Sequence, residues 1–135
     1  MNFVVASLLY HAEEPVAFWL YVSLIEDCEI RDIYLPGLPG LYKHTQIIEI
    51  LIQENLPEIF YHFRAHQIKV EMYASDWLFG LFASVIPLEK MKTFFNLFFK
   101  FKWVFFYKMV LSILKKLEHD ILAESELWDI LNSIK

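Results

Sequence analysis

His62 and His66 stand four residues apart in the stretch PEIFYHFRAHQ. On a helix that spacing puts two imidazoles on one face, as a pair of metal ligands requires. No glutamate follows His62 and no third ligand is at hand, so ordinary partly buried or surface histidines are the better reading. Glu13 and Glu14 are adjacent carboxylates, but neighbouring helical residues point apart and do not make an acid–base pair. Followed by Pro15, they read instead as a helix start. Cys28 is the single cysteine. It sits among Glu26, Asp27 and Glu29, which would raise its pKa rather than activate it. A lone thiol forms no intrachain disulfide, which fits a reducing compartment. The chain has three glycines and lacks G-x-x-x-x-G-K-[ST], G-x-G-x-x-G and G-x-S-x-G. A phosphate-cradling loop of the common types cannot be built, so no cofactor, nucleotide or metal is expected.

The elements that would carry these residues read as helices. The stretch from Tyr73 to Leu114 organises the rest. Ala74, Trp77, Leu78, Leu81, Phe82 and Val85 fall at helical spacing, and Pro87 stops that rhythm. Leu88, Met91, Phe94, Phe95 and Phe98 start it again. Phe106, Val110, Ile113, Leu114 and Leu117 repeat it a third time. Asn2 to Ala12 is apolar nearly all round and predicts a buried helix. The helix after Pro15 is expected to turn Phe18, Trp19, Val22 and Ile25 inward and to end near Cys28. Tyr34 to Tyr42 holds two of the three glycines and two of the five prolines, which predicts a loop. Leu41 to Asn55 predicts a helix with Ile47, Ile48, Leu51 and Ile52 inward. Pro57 starts a short one facing inward with Ile59, Phe60 and Phe63. Ser125 is the expected N-cap of a last helix using Trp128, Leu131 and Ile134. No alternating strand pattern appears.

Composition and charge narrow the function. Apolar residues make up 57% and aromatics 18% of 135 residues, more than a typical single domain carries. Some of that surface is expected to meet a partner, a membrane or the rest of a larger domain. The longest runs free of Asp, Glu, Lys and Arg are 12 residues, too short for a membrane span of about 20. Met1 has no basic n-region or small-residue cleavage site after it. The net charge of −5 hides a split: residues 87–118 carry seven lysines against Glu89 and Glu118. Those lysines are expected to solvate the outer faces of apolar helices, their stems lying on aromatic surface. With no recognised nucleic-acid module, nucleic acid is not an expected partner. Nine of the fourteen residues from Phe94 to Tyr107 are aromatic. At helical spacing they read as core, with Phe101 or Phe105 the candidates for exposure.

The order of these features resembles the C-terminal part of TBC domains, the GTPase-activating domains for Rab GTPases. A tryptophan opens an apolar helix, a proline follows, then Phe95-Asn96 stands where the family tends to have Trp-Asp. Further on, Lys102-Trp103 stands where the family tends to have Gly-Trp. At the start, Met1-Asn2-Phe3-Val4 with Ala6, Leu8 and Leu9 resembles the segment after the family's Tyr-x-Gln motif. Glu14 with Ala17-Phe18-Trp19 resembles the start of its next helix. The resemblance covers about residues 1 to 131.

The resemblance implies an all-α fold of about seven or eight helices and one partial TBC-like domain over residues 1–135. It implies a GTPase-activator-type protein of vesicle traffic with a Rab-family GTPase as partner. Such a protein is an enzyme regulator, expected in the cytoplasm or on the cytosolic face of endomembranes. The family uses an arginine in I-x-x-D-x-x-R to neutralise developing phosphoryl charge and a glutamine in Y-x-Q to orient water. Neither motif occurs here. Both are expected upstream of residue 1, so no catalytic residue is assigned. Met1 and Asn2 are the candidate partner-binding residues, by their nearness to the missing glutamine. The alternatives are a finger-less helical module that binds a small GTPase or another protein, and a peripheral membrane-binding protein using the lysine and aromatic segment. Self-association through the helix Asn2 to Ala12 is a further expectation, because its apolar groups project from every side.

Overall fold

The computed structural model describes residues 2–134, with the side chains of Asn2 and Ser133 set aside. Ten α-helices and one 3-10 turn account for the regular structure among the described residues, with no strand. The helices are α1 (Asn2–His11), α2 (Glu14–Glu26), α3 (Arg31–Tyr34), α4 (Pro39–Asn55) and α5 (Pro57–Ala65). They continue with α6 (Glu71–Gly80), α7 (Met91–Phe101), α8 (Trp103–Lys116), α9 (Glu118–Ala123) and α10 (Leu127–Ile134). The 3-10 turn is Leu88–Lys90. The all-α expectation holds. The count exceeds the expected seven or eight because α3 is a single turn just before the expected loop, and α9 breaks away from α8 at Leu117. The loop is shorter than expected, since α4 already starts at Pro39.

The chain divides into two compact units. The first comprises residues 1–42 and 76–105, the second residues 43–75 and 106–135. Helices α4, α6 and α8 contribute residues to both. In the first unit Phe94, Phe95 and Phe98 of the aromatic run are core, as expected, while Phe99, Trp103 and Phe105 are half-buried. Phe94 stacks on Phe98 with centroids 5.8 Å apart, and Phe82 meets Phe94 edge-on at 5.9 Å. Phe101 is exposed. In the second unit Ile48, Ile52, Ile59, Phe60 and Phe63 are buried with Val110, Leu114 and Ile121. The seven lysines of residues 87–118 are all exposed, and Lys100 Nζ lies 5.2 Å from the Phe101 ring centroid.

Three expected faces are displaced. Helix α6 ends at Gly80 rather than running to Pro87. Leu81 and Phe82 take left-handed backbone, φ 47° and 62°, and the Phe82 N–H reaches back to the Trp77 carbonyl at 3.1 Å. This is the six-to-one closure that terminates helices, here made without glycine. Each left-handed residue costs on the order of 1–2 kcal/mol, and complete burial of both side chains offsets it. The rhythm therefore breaks before Val85, which is exposed and not core. In α2 the inward residues are Ala17 and Leu24. Phe18 and Trp19 face solvent, and Val22 and Ile25 are half-buried. In α10 Ile130, Leu131 and Ile134 face inward and Trp128 does not. That helix starts at Leu127, so Ser125 lies one residue too early to cap it.

Gly40 and Lys102 show what the two tight turns demand. A Cβ on Gly40 would sit 2.6 Å from backbone atoms of Asp32 and Ile33, so only glycine lets α4 start against α3. Lys102 joins α7 to α8 at φ 54°, ψ −134°, backbone that suits glycine. The tight turn at Lys102 is thus made without glycine, with strain. It is held by the Lys102 N–H on the Phe98 carbonyl at 2.6 Å and the Trp103 indole N–H on the Cys28 carbonyl at 2.8 Å. Lys102→Gly is therefore expected to stabilise the chain by about 1 kcal/mol, the relieved strain outweighing the extra unfolded-state entropy. A thermal melt would show a midpoint a few degrees higher, and a lower midpoint would contradict the strain.

Candidate functional site

Helices α1 and α2 form the surface that stands out. Glu13 and Glu14 lead α2 with Pro15 behind them. Glu13 holds the N-cap position without a side-chain cap bond, so the pair favours the helix start through its dipole alone. At its other end α1 is tied down by His11, whose Nε2 donates to the Leu88 carbonyl at 2.6 Å. Only one side of α1 is buried: Val4, Ser7 and Leu8. Ser7 donates its hydroxyl to the Phe3 carbonyl at 2.8 Å, within the helix. This corrects the expectation of a buried helix. Phe3, Val5, Leu9 and Tyr10 remain exposed.

Between α1 and α2 lies an open groove of about 370 Å³, lined by Val5, Leu8, Leu9, Glu14, Ala17, Phe18 and Tyr21. Its floor is small and apolar at Ala17. Phe18 meets Trp19 edge-to-face at 5.4 Å, and Trp19 is 67% exposed. Besides the Glu14 carboxylate and Tyr21 the lining is apolar, and no lysine or arginine is there to stabilise developing negative charge. What the surface can do chemically is bury apolar groups.

The other candidates resolve into structure. His62 Nε2 donates to the Glu124 carbonyl at 2.9 Å, and His66 Nδ1 donates to the His62 carbonyl at 2.9 Å. Among the described residues no group of three or more His, Cys, Asp or Glu could hold a metal. Cys28 is buried. Burial pushes its thiol pKa up, Lys102 opposes this and Asp27 adds to it. Tyr34 donates its hydroxyl to the Phe79 carbonyl, and burial, with Tyr21 nearby, pushes its pKa up to about 12, so it stays a donor. His44 and Tyr107 form a pair 2.5 Å apart that the sequence did not announce. Met1 lies outside the described residues, and Asn2 opens α1. No helix among the described residues is long and apolar enough to cross a membrane.

An all-helical chain with this order of elements fits a known class. Residues 1–122 match the Rab-GTPase-TBC domain, and the chain belongs to that family. Its relatives include the human ecotropic viral integration site 5 protein homolog, 34% identical over 71% of this chain and 12% of that protein. TBC1 domain family member 12 of Xenopus tropicalis is 28% identical over 93% of this chain and 18% of that protein. The GTPase-activating protein GYP5 of Saccharomyces cerevisiae is 33% identical over 73% of this chain and 11% of that protein. The chain thus spans less than a fifth of the length of these relatives.

Proposed function

We propose that these residues are the helical scaffold and docking part of a GTPase-activating regulator of Rab-family GTPases. It acts in vesicle traffic, in the cytoplasm and at the cytosolic face of endomembranes. The observation that carries this is the family match over residues 1–122 in a stretch that contains neither finger motif. The GTPase contact is placed at the start of α1, on Met1 and Asn2. The test is fluorescence anisotropy against a panel of Rab GTPases loaded with GDP or a non-hydrolysable GTP analogue. The expected result is binding that favours the triphosphate state and weakens with Asn2→Arg. No binding to any Rab in either state would overturn it.

A second reading concerns the partner of α1 itself. The exposed Phe3, Val5, Leu9 and Tyr10 favour self-association through that helix. Peripheral membrane contact through the lysine and aromatic segment is less favoured, because of the nine aromatics between Phe94 and Tyr107 only Phe101 is exposed.

A further inference from the structure

Two histidines meet at the C-terminal end of α5. His62 lies in its last turn and His66 is its C-cap residue. Their ring centroids are 4.4 Å apart, with the rings tilted by 48°. Both are half-buried, so neither is sealed from solvent. Each ring has one nitrogen committed to a backbone carbonyl. His62 Nε2 bonds the Glu124 carbonyl at 2.9 Å, and His66 Nδ1 bonds the His62 carbonyl at 2.9 Å. A carbonyl only accepts, so these bonds fix the protons on those two nitrogens. In the neutral rings the remaining lone pairs belong to His62 Nδ1 and His66 Nε2, each on an anchored imidazole.

That is the arrangement in which imidazoles hold metals. A ligating histidine almost always donates its other N–H to a carbonyl, a carboxylate or water, which sets the tautomer and the ring orientation. Histidines at i and i+4 are the ligand pair of helical zinc sites. Zn–N bonds of about 2.0–2.1 Å put two nitrogens on one ion roughly 3.3 Å apart, a spacing within reach of rings this close. Arg64, between the two in sequence, turns its guanidinium to the Phe60 ring. Glu58, one turn before His62, interacts with Lys115, which leaves it out of the ligand set. Two protein ligands are fewer than a resident zinc centre takes, so water completes the coordination and the ion exchanges.

We propose that His62 and His66 chelate a divalent transition metal ion of the class that prefers imidazole nitrogen, such as zinc, nickel or copper. Bound there, the ion firms the contact of α5 with the end of α9, because His62 already reaches across to Glu124. Isothermal titration of the full chain with zinc chloride tests this. The expected result is one ion per chain, no binding of magnesium, which prefers oxygen ligands, and a thermal midpoint that rises with zinc concentration. His62→Gln and His66→Gln should each weaken zinc binding about tenfold or more. His119→Gln, at an exposed position on α9, should not. Long-range nitrogen–proton NMR of the unaltered chain reads the same site without a substitution. It should find the proton of His62 on Nε2 and that of His66 on Nδ1, with zinc shifting His62 Nδ1 and His66 Nε2. No binding at millimolar zinc overturns the inference. So does binding that survives both substitutions, or zinc shifts that fall on His11, His44 or His119 instead.

Discussion

Residues 1–135 are expected to leave GTP hydrolysis by any Rab GTPase at its intrinsic rate. Acceleration needs a positive group against the transferred phosphoryl and a side chain that orients the attacking water. An arginine supplied in trans is worth 10³ to 10⁵ in rate. The chain has two arginines. Arg64 lies 5.8 Å from the Phe60 ring centroid and fits no finger motif. Arg31 has an isoleucine at the right spacing in Ile25, but the position of the motif's aspartate is Cys28, a buried thiol. No tyrosine is followed two residues on by glutamine. The lining of the groove beside α1 contains no arginine, lysine or glutamine and supplies neither group. A single-turnover assay with saturating chain over a Rab panel should show no large stimulation. Stimulation approaching 10³ would mean that another residue of this chain reaches the phosphate, and the scaffold reading would fall.

Fold class was legible because helical spacing survives in every long segment. Helices flanked by proline, such as α5, were placed to within a residue or two. What could not be read was the phase of helices that are apolar all round. PVAFWLYVSLI in α2 offers hydrophobic residues to every direction, so the pattern cannot say which side faces inward. It gave Phe18 and Trp19 the core, while the fold gives it to Ala17 and Leu24. The excess of apolar residues did announce that some surface would stay uncovered. Its place was legible on α1, whose apolar groups project from every side and where Phe3, Val5, Leu9 and Tyr10 are exposed, but not on α2, since exposure there is decided by neighbours and not by composition. The end of α6 was hidden for a different reason. Leu81 and Phe82 have no turn propensity, and tertiary burial imposes their left-handed backbone. Nor did a lysine at position 102, where the family tends to have glycine, announce the tight turn that the backbone makes there. The GTPase contact was legible only through the family resemblance, which reaches Met1 and Asn2 by adjacency and no further.

Trp77→Ala is expected to cost roughly 3–5 kcal/mol of stability, as for large aromatics removed from cores. Trp77 is 4% exposed and lies near the C-terminal end of α6. Its ring meets Phe82 at 5.3 Å, and its carbonyl receives the Phe82 N–H that closes the helix. Removing the indole leaves a cavity beside the one turn whose left-handed backbone depends on tight burial. Phe82 can move to fill that cavity only by giving up its contact with Phe94, so relaxation recovers little. Val85→Ala supplies the contrast. Val85 is 51% exposed, so its loss should stay within about 0.5 kcal/mol. Denaturant unfolding of both variants at one fixed protein concentration separates the two positions, since association would otherwise shift the apparent stability. A Trp77→Ala loss below about 1 kcal/mol would show that this face is not core. A Val85→Ala loss of similar size to that of Trp77→Ala would restore the longer helix that the spacing alone predicts.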